Sequence, residues 1–138
     1  VASVIVDTGC IVALLDRRER HHEQCAQVMS ALTEPPITCE AVIVESLHLL
    51  RNIEGAAELI LNDVQRGLYQ LPYALALRAA EVARLLKKYA DIPMDFADAC
   101  LVDLATQTGM ARILTLDSDF RIYRWGKNRP FELLLEIE

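Results

Sequence analysis

"SVIVDTGCIVALLD", residues 3–16, carries two hydrophobic periods placed end to end. Ser3 to Val6 form a short β-branched run that Asp7 closes, and from Thr8 onward Ile11, Leu14 and Leu15 recur at helical spacing. A strand feeding directly into a helix is the repeating unit of an α/β domain, and the rest of the chain continues the alternation. "HHEQCAQVMSAL" (21–32) predicts a helix stopped by Pro35 and Pro36, and "ITCE" (37–40) a short strand. "EAVIVESLHLLR" (40–51) and "GAAELILNDVQRG" (55–67) predict two more helices, the second closed by Gly67. "LYQLP" (68–72) reads as a strand ended by Pro72. "ALALRAAEVARLLKKYA" (74–90) is a long amphipathic helix with Lys87 and Lys88 in its last turn. A helix begins near Asp95, and "RILTL" (112–116) and "FELLLEIE" (131–138) are the remaining strands. The expected architecture is a three-layer α/β/α sandwich around a central, mainly parallel sheet of about five strands.

Composition narrows the function classes. At 138 residues and 53% hydrophobic, the chain can bury one substantial core and is too short for two ordinary domains, so a single domain over 1–138 is expected. No repeat or low-complexity segment interrupts it. "CIVALL" (10–15) falls far below the ~18 residues a membrane-spanning helix needs, and no signal-peptide architecture is visible. Cys10, Cys25, Cys39 and Cys100 are too scattered for a zinc or redox pair and read as reduced core residues of a cytoplasmic protein. A formal net charge of -6 argues against gripping nucleic acid by bulk charge, while leaving room for a local basic rim.

The acids are more informative. In a parallel α/β sheet ligands bind beyond the carboxyl ends of the strands, where Asp7 and Asp117 both fall. Singly, each also reads as a helix cap or turn opener. Glu45 has Ala41, Val42, His48 and Leu49 one turn away, and Asp98, in "MDFADACLVDLA" (94–105), faces Leu101, Val102 and Ala105. A buried unpaired carboxylate neutralises or finds a partner. For Glu45 the alternative is an Arg or Lys elsewhere in the fold. For Asp98 it is a capping box with Asp95, which Pro93 just upstream also suits. Taken jointly, two acids at strand ends and two on semi-apolar helix faces, with no lysine-rich segment to neutralise them, point to a bound divalent cation. Oxygen ligands without thiolate or clustered histidine favour Mg²⁺ or Mn²⁺ over Zn²⁺. His21 and His22 read as solvent-facing and His48 has no partner at ligand spacing, so none is taken as a ligand.

The sequence resembles the PIN-domain ribonucleases, and especially the VapC toxins of toxin-antitoxin pairs. The resemblance spans nearly the whole chain and rests on "VIVDTGCIVALLD", "TCEAVIVESLHLL", "DFADACLVDLATQTG" and "ILTLDSDF" in that order. It implies that Asp7, Glu45, Asp98 and Asp117 form an acidic quartet, with Asp117 at the position where members vary, Thr8 supporting the first acid, and Asp95 and Asp119 as extra acids. It further implies Mg²⁺- or Mn²⁺-dependent hydrolysis of RNA phosphodiesters to 5'-phosphate and 3'-hydroxyl ends, with Asp7, Asp98 and Asp117 as principal metal ligands. Glu45 would ligate a second metal or hold and deprotonate the attacking water. A homodimer and a VapB-like antitoxin are the partners it implies.

Three rival functions stand beside it: a solitary PIN nuclease, a PIN module that binds RNA or protein without cutting, and a metal-dependent phosphohydrolase acting on small phosphoesters. The last would want a second acid two residues after Asp7, where Gly9 stands. "RRERHH" (17–22) and Arg121, Arg124, Lys127 and Arg129 are candidate phosphate contacts, each more readily read as a solvated, salt-bridged surface. Tyr123 and Trp125, interleaved with the second group, suit either stacking on RNA or packing in a core or dimer contact; Phe120 is assigned to the core.

Overall fold

The computed structural model describes residues 3–136. Strand β1 (Ile5–Val6) passes straight into α1 (Thr8–Leu15), and α2 (His22–Ser30), α3 (Glu40–Leu49), α4 (Ala56–Gln65), α5 (Leu75–Lys88) and α6 (Phe96–Thr108) follow. After α6 come β2 (Arg112–Leu114), a 3-10 turn (Ser118–Arg121), β3 (Arg124–Trp125), β4 (Arg129–Pro130) and β5 (Glu132–Leu133). All six helices lie where the periodicity places them.

The sheet is parallel, with strand order β1-β2-β5 and Ile5 opposite Ile113. Only three of the expected five strands reach strand length. The other two contract to single parallel bridges, Ile5 to Ile37 and Ile37 to Gln70, which extend the same sheet beyond β1. The cause is local. Pro35 and Pro36 precede Ile37, and Cys39 already caps α3. Pro72, which has no N–H to donate, stands two residues past Gln70. The expected last strand shortens to Glu132–Leu133, and its final positions 137–138 lie outside the described residues.

Both faces of the sheet are covered. Successive strand side chains point to opposite faces, yet Val4, Ile5, Val6, Ile113 and Leu114 are all fully buried. α1 packs on α2 and α3, α5 on α6, and α3 touches α6. α6 is enclosed almost all round, with every residue from Ala97 to Ala105 buried. Its ends explain why it starts and stops: Asp95 and Asp98 form a capping box, and Gly109, at φ 73°, adopts the left-handed conformation that closes the helix.

An antiparallel hairpin of β3 and β4, not anticipated from the sequence, stands apart from the parallel sheet. Gly126 and Asn128 take positive φ at its tip. Phe120 is in the core as expected. Tyr123 is fully buried with Tyr89 and Phe120 packed edge-on to it, and Trp125 is 7% exposed, so neither ring is free to stack on a ligand and the core reading of both prevails. All four cysteines are buried free thiols. His21 contacts Gln24, but His22 turns inward onto the Ala13 carbonyl at 2.7 Å. Among the described residues no helix is long and apolar enough to cross a membrane.

Candidate acidic active site

The parallel pairing of β1 and β2 brings Asp7 and Asp117 out at the same edge of the sheet. Asp7 is the residue after β1, and its N–H still donates to the Leu114 carbonyl at 3.0 Å. Its side chain caps α1: Oδ1 accepts from the Thr8 N–H at 2.7 Å. Asp117 caps the 3-10 turn, accepting from the Asp119 N–H at 2.9 Å. The cap readings of both residues are therefore real, and they fix the carboxylates in place rather than competing with a role in a site.

Thr115, which the sequence pattern does not single out, joins the two. Its hydroxyl donates to Asp7 Oδ2 at 2.8 Å and accepts from the Asp117 N–H at 3.0 Å. It is wholly buried. The only trace in the sequence is a hydroxyl inside the apolar run "ILTL", two residues before Asp117. Thr8, expected to support the site, contributes its backbone N–H, while among the described residues its buried Oγ1 has no hydrogen-bond partner.

Asp98 sits at the third position of α6. Its N–H donates to Asp95 Oδ1 at 2.8 Å, and its own Oδ2 accepts from the Asp95 N–H at 3.2 Å. Glu45 lies mid-way along α3, half-buried, and lines a groove of about 680 Å³ between α3 and α6. Glu40, His48, Tyr73 and Asp95 share that groove with the apolar Val44, Leu75 and Phe96. Asp95, read from the sequence as an extra acid, is thus one of the carboxylates facing the groove. Asp7 and Asp98 are only 8% and 7% exposed.

The acids feel one another. Burial pushes Asp7 up to about 6, against its hydrogen bonds from Thr115 and Thr8 and with repulsion from Asp117 and Glu45. Burial and then repulsion from Asp95, with a smaller push from Asp7, raise Asp98 to about 8. Asp117 is raised by burial, with Asp119 and Asp95 adding repulsion against the Asp119 N–H that favours its charge. All four predicted residues are therefore linked electrostatically, Asp7 being the member that senses Glu45 and Asp117 and is sensed by Asp98. They are not drawn into a tight cage: among the described residues no three His, Cys, Asp or Glu side chains converge at ion-holding distance.

A pH dependence follows. Between the ordinary 3.8 and the raised values of about 6 and about 8, the folded protein keeps protons that the unfolded chain has released. Their contribution is full below about pH 4 and is lost as pH rises through those two values. Melts in chelator are expected to give a lower Tm near pH 8 than near pH 5, with Mn²⁺ raising Tm more at the higher pH because the ligands must be ionised. A chelated Tm that climbs over that interval would contradict the raising of these two acids by burial and repulsion.

Comparison with known proteins gives a consistent family. The PIN domain model matches residues 4–126. Ribonuclease VapC26 of Mycobacterium tuberculosis (strain ATCC 25618 / H37Rv) is 29% identical over 116 residues, covering 83% of this chain and 86% of that protein. The crystal structure of M. tuberculosis VapC20, a sarcin-ricin loop cleaving toxin, superposes with a TM-score of 0.79 at 19% identity, over 94% of this chain and 100% of that one. That likeness is one of fold.

Proposed function

Because the chain belongs to the PIN-domain family, we propose that it is a divalent-metal-dependent endoribonuclease, the toxin of a toxin-antitoxin pair acting in the cytoplasm. The observation that carries the reading is the Thr115 hydroxyl tying Asp7 and Asp117 together at the carboxyl edge of the sheet, with Asp98 and Glu45 close enough to interact electrostatically with Asp7. An all-carboxylate donor set whose members repel suits a hard cation, Mg²⁺ or Mn²⁺. Asp7, Asp98 and Asp117 would hold it. When bound, such an ion neutralises charge at the scissile phosphate and acidifies water.

The chain's own residues then divide the remaining work. The Thr8 N–H and the Thr115 hydroxyl each occupy one oxygen of Asp7, so its carboxylate is held in a single orientation. Thr115 also ties Asp117 to that orientation. Glu45 presents its carboxylate in the groove, where it would orient the attacking water and take its proton. The apolar rim of Val44, Leu75 and Phe96 beside it supports coverage of the groove by a VapB-like antitoxin or by a second copy in a homodimer.

A second reading, a PIN module that binds without cutting, is favoured by one observation: Asp98 is engaged as a helix cap and, among the described residues, no three donors converge. Incubation with RNA separates the two. Cleavage in Mg²⁺ or Mn²⁺, halted by chelator, with small phosphomonoesters left intact, is the expected result. Phosphomonoester hydrolysis without RNA cleavage would overturn the nuclease, and RNA retention without cleavage would establish the binding module.

A further inference from the structure

An acidic site on a chain of net charge -6 repels a polyanion, so RNA needs a local cationic track to approach it. From Phe120 to Phe131 the sequence contains four cations and no acid. Three of those cations, Arg124, Lys127 and Arg129, belong to the β3–β4 hairpin or its tip. Lys127 and Arg129 are exposed and Arg124 is half-buried. Arg124 Nη1 donates to the carbonyls of Arg121, Ile122 and Tyr123 at 2.8, 3.3 and 3.2 Å, and the Arg129 guanidinium lies 5.3 Å over the Trp125 ring. Among the described residues no carboxylate pairs with Arg124, Lys127 or Arg129. The other basic run differs, since Arg18 is bound to Asp16.

The hairpin is also positioned with respect to the acids. Its root adjoins them: the chain reaches it from Asp117 through the 3-10 turn, and the Tyr123 hydroxyl, buried and without a partner among the described residues, lies in the field of Asp98, Asp119, Asp117 and Asp95. Its tip is pinned to the far end of α6, where the Gly126 N–H donates to Thr106 Oγ1 at 2.9 Å. At the helical rise, Asp98 and Thr106 are about 12 Å apart along α6, beyond the ~8 Å over which physiological salt screens a charge. The hairpin tip, which carries Lys127, is therefore held toward the end of α6 away from Asp98.

We propose that the β3–β4 hairpin seats the RNA backbone, with Arg124, Lys127 and Arg129 contacting phosphates flanking the scissile bond. This rests on the ribonuclease reading above and names the substrate contacts of that site. Such contacts position the strand without reading its bases.

Binding of a labelled mixed-sequence single-stranded RNA, measured in chelator across a salt series, tests it. Lys127→Gln with Arg129→Gln is expected to weaken binding about tenfold at low salt and to flatten the dependence of log K on log salt by about 1.4, at about 0.7 for each phosphate no longer neutralised. Lys127→Glu, at an exposed tip position, is expected to weaken binding at an unchanged Tm, and Lys127→Arg to retain affinity. Arg17→Gln, in the other basic run, should leave the salt slope unaltered. RNA binding by the hairpin variants with the affinity and slope of the wild type overturns this assignment and leaves the nuclease intact. A wild type that neither binds nor cuts RNA removes both.

Discussion

Asp98→Asn is expected to lower RNA cleavage by roughly two to three orders of magnitude, the scale of removing one charge-stabilising group from an active site, while the metal-free protein melts no lower than wild type. The two halves have one cause. Burial and the Asp95 and Asp7 charges raise Asp98 to about 8, so at neutral pH the folded protein holds much of this carboxyl in its protonated form. Asparagine is close to that form in shape. Its side-chain oxygen still accepts from the Asp95 N–H, and its own N–H still donates to Asp95 Oδ1, so the capping box of α6 survives. What disappears is the negative charge that a cation would draw on. The Tm increment produced by Mn²⁺ should therefore shrink with the activity, and above about pH 8 the metal-free variant should melt higher than wild type, since it no longer has a buried acid to ionise. A large drop in metal-free Tm would mean that Asp98 matters as a cap, and that the fall in activity reflects a damaged structure.

Arg78→Ala is expected to have the largest effect on stability. α6 carries a second buried acid, Asp103, with no exposed surface at all. Arg78 on α5 grips it with two bonds, Nε to Oδ2 at 2.8 Å and Nη2 to Oδ1 at 2.6 Å, and the Tyr73 hydroxyl donates to Oδ2 at 2.7 Å. Removing the guanidinium strands a charge inside the α5–α6 interface. Breaking such a pair from one side costs about 3 kcal/mol, the low end being apt because Arg78 itself is 32% exposed. For a domain of this size that is a fall of roughly 10 °C in Tm. Arg78→Lys should recover only part of it, because an ammonium cannot reproduce the two-pronged geometry. The double variant Arg78→Ala, Asp103→Asn should be more stable than Arg78→Ala alone. Denaturant unfolding gives these differences directly, and a loss below about 1 kcal/mol for Arg78→Ala would show that water reaches Asp103. Tyr73 lines the groove, so the same pairing also holds one of its walls.

Much of the architecture was legible because it depends on neighbours in the chain. The apolar periods, Pro35, Pro36 and Pro72 as breakers, and the Asp95–Asp98 cap are local, and the six helices follow from them. Strand lengths were less legible: a residue such as Ile37 is extended for reasons of its own neighbours, but whether it sits in a ladder or a single bridge depends on Gln70 and Ile5. The hairpin at Arg124–Trp125 and Arg129–Pro130 was hidden because its aromatic and basic residues suggested a surface, whereas Trp125 is buried and its Nε1 donates to the Pro130 carbonyl at 3.0 Å. Thr115 was hidden because one hydroxyl in an apolar strand is ordinary, and only the pairing of β1 with β2 sets it between Asp7 and Asp117.

The two buried acids of α6 mark the boundary. Asp98 and Asp103 lie on one helix rich in alanine, leucine and valine, but in the sequence Asp98 has Asp95 as a capping partner and Leu101 and Val102 one turn on, whereas Asp103 has Thr106 and Gln107. The sequence marked Asp98 as an acid on an apolar helix face and did not single out Asp103, which the structure buries completely. Which one is neutralised was decided by the tertiary structure: α5 delivers Arg78, 25 residues away, to Asp103 and nothing cationic to Asp98. A charge's partner is set by the packing of helices rather than by chain distance. That packing leaves Asp103 as an internal ion pair and Asp98 as a carboxylate raised by burial and by Asp95 and Asp7.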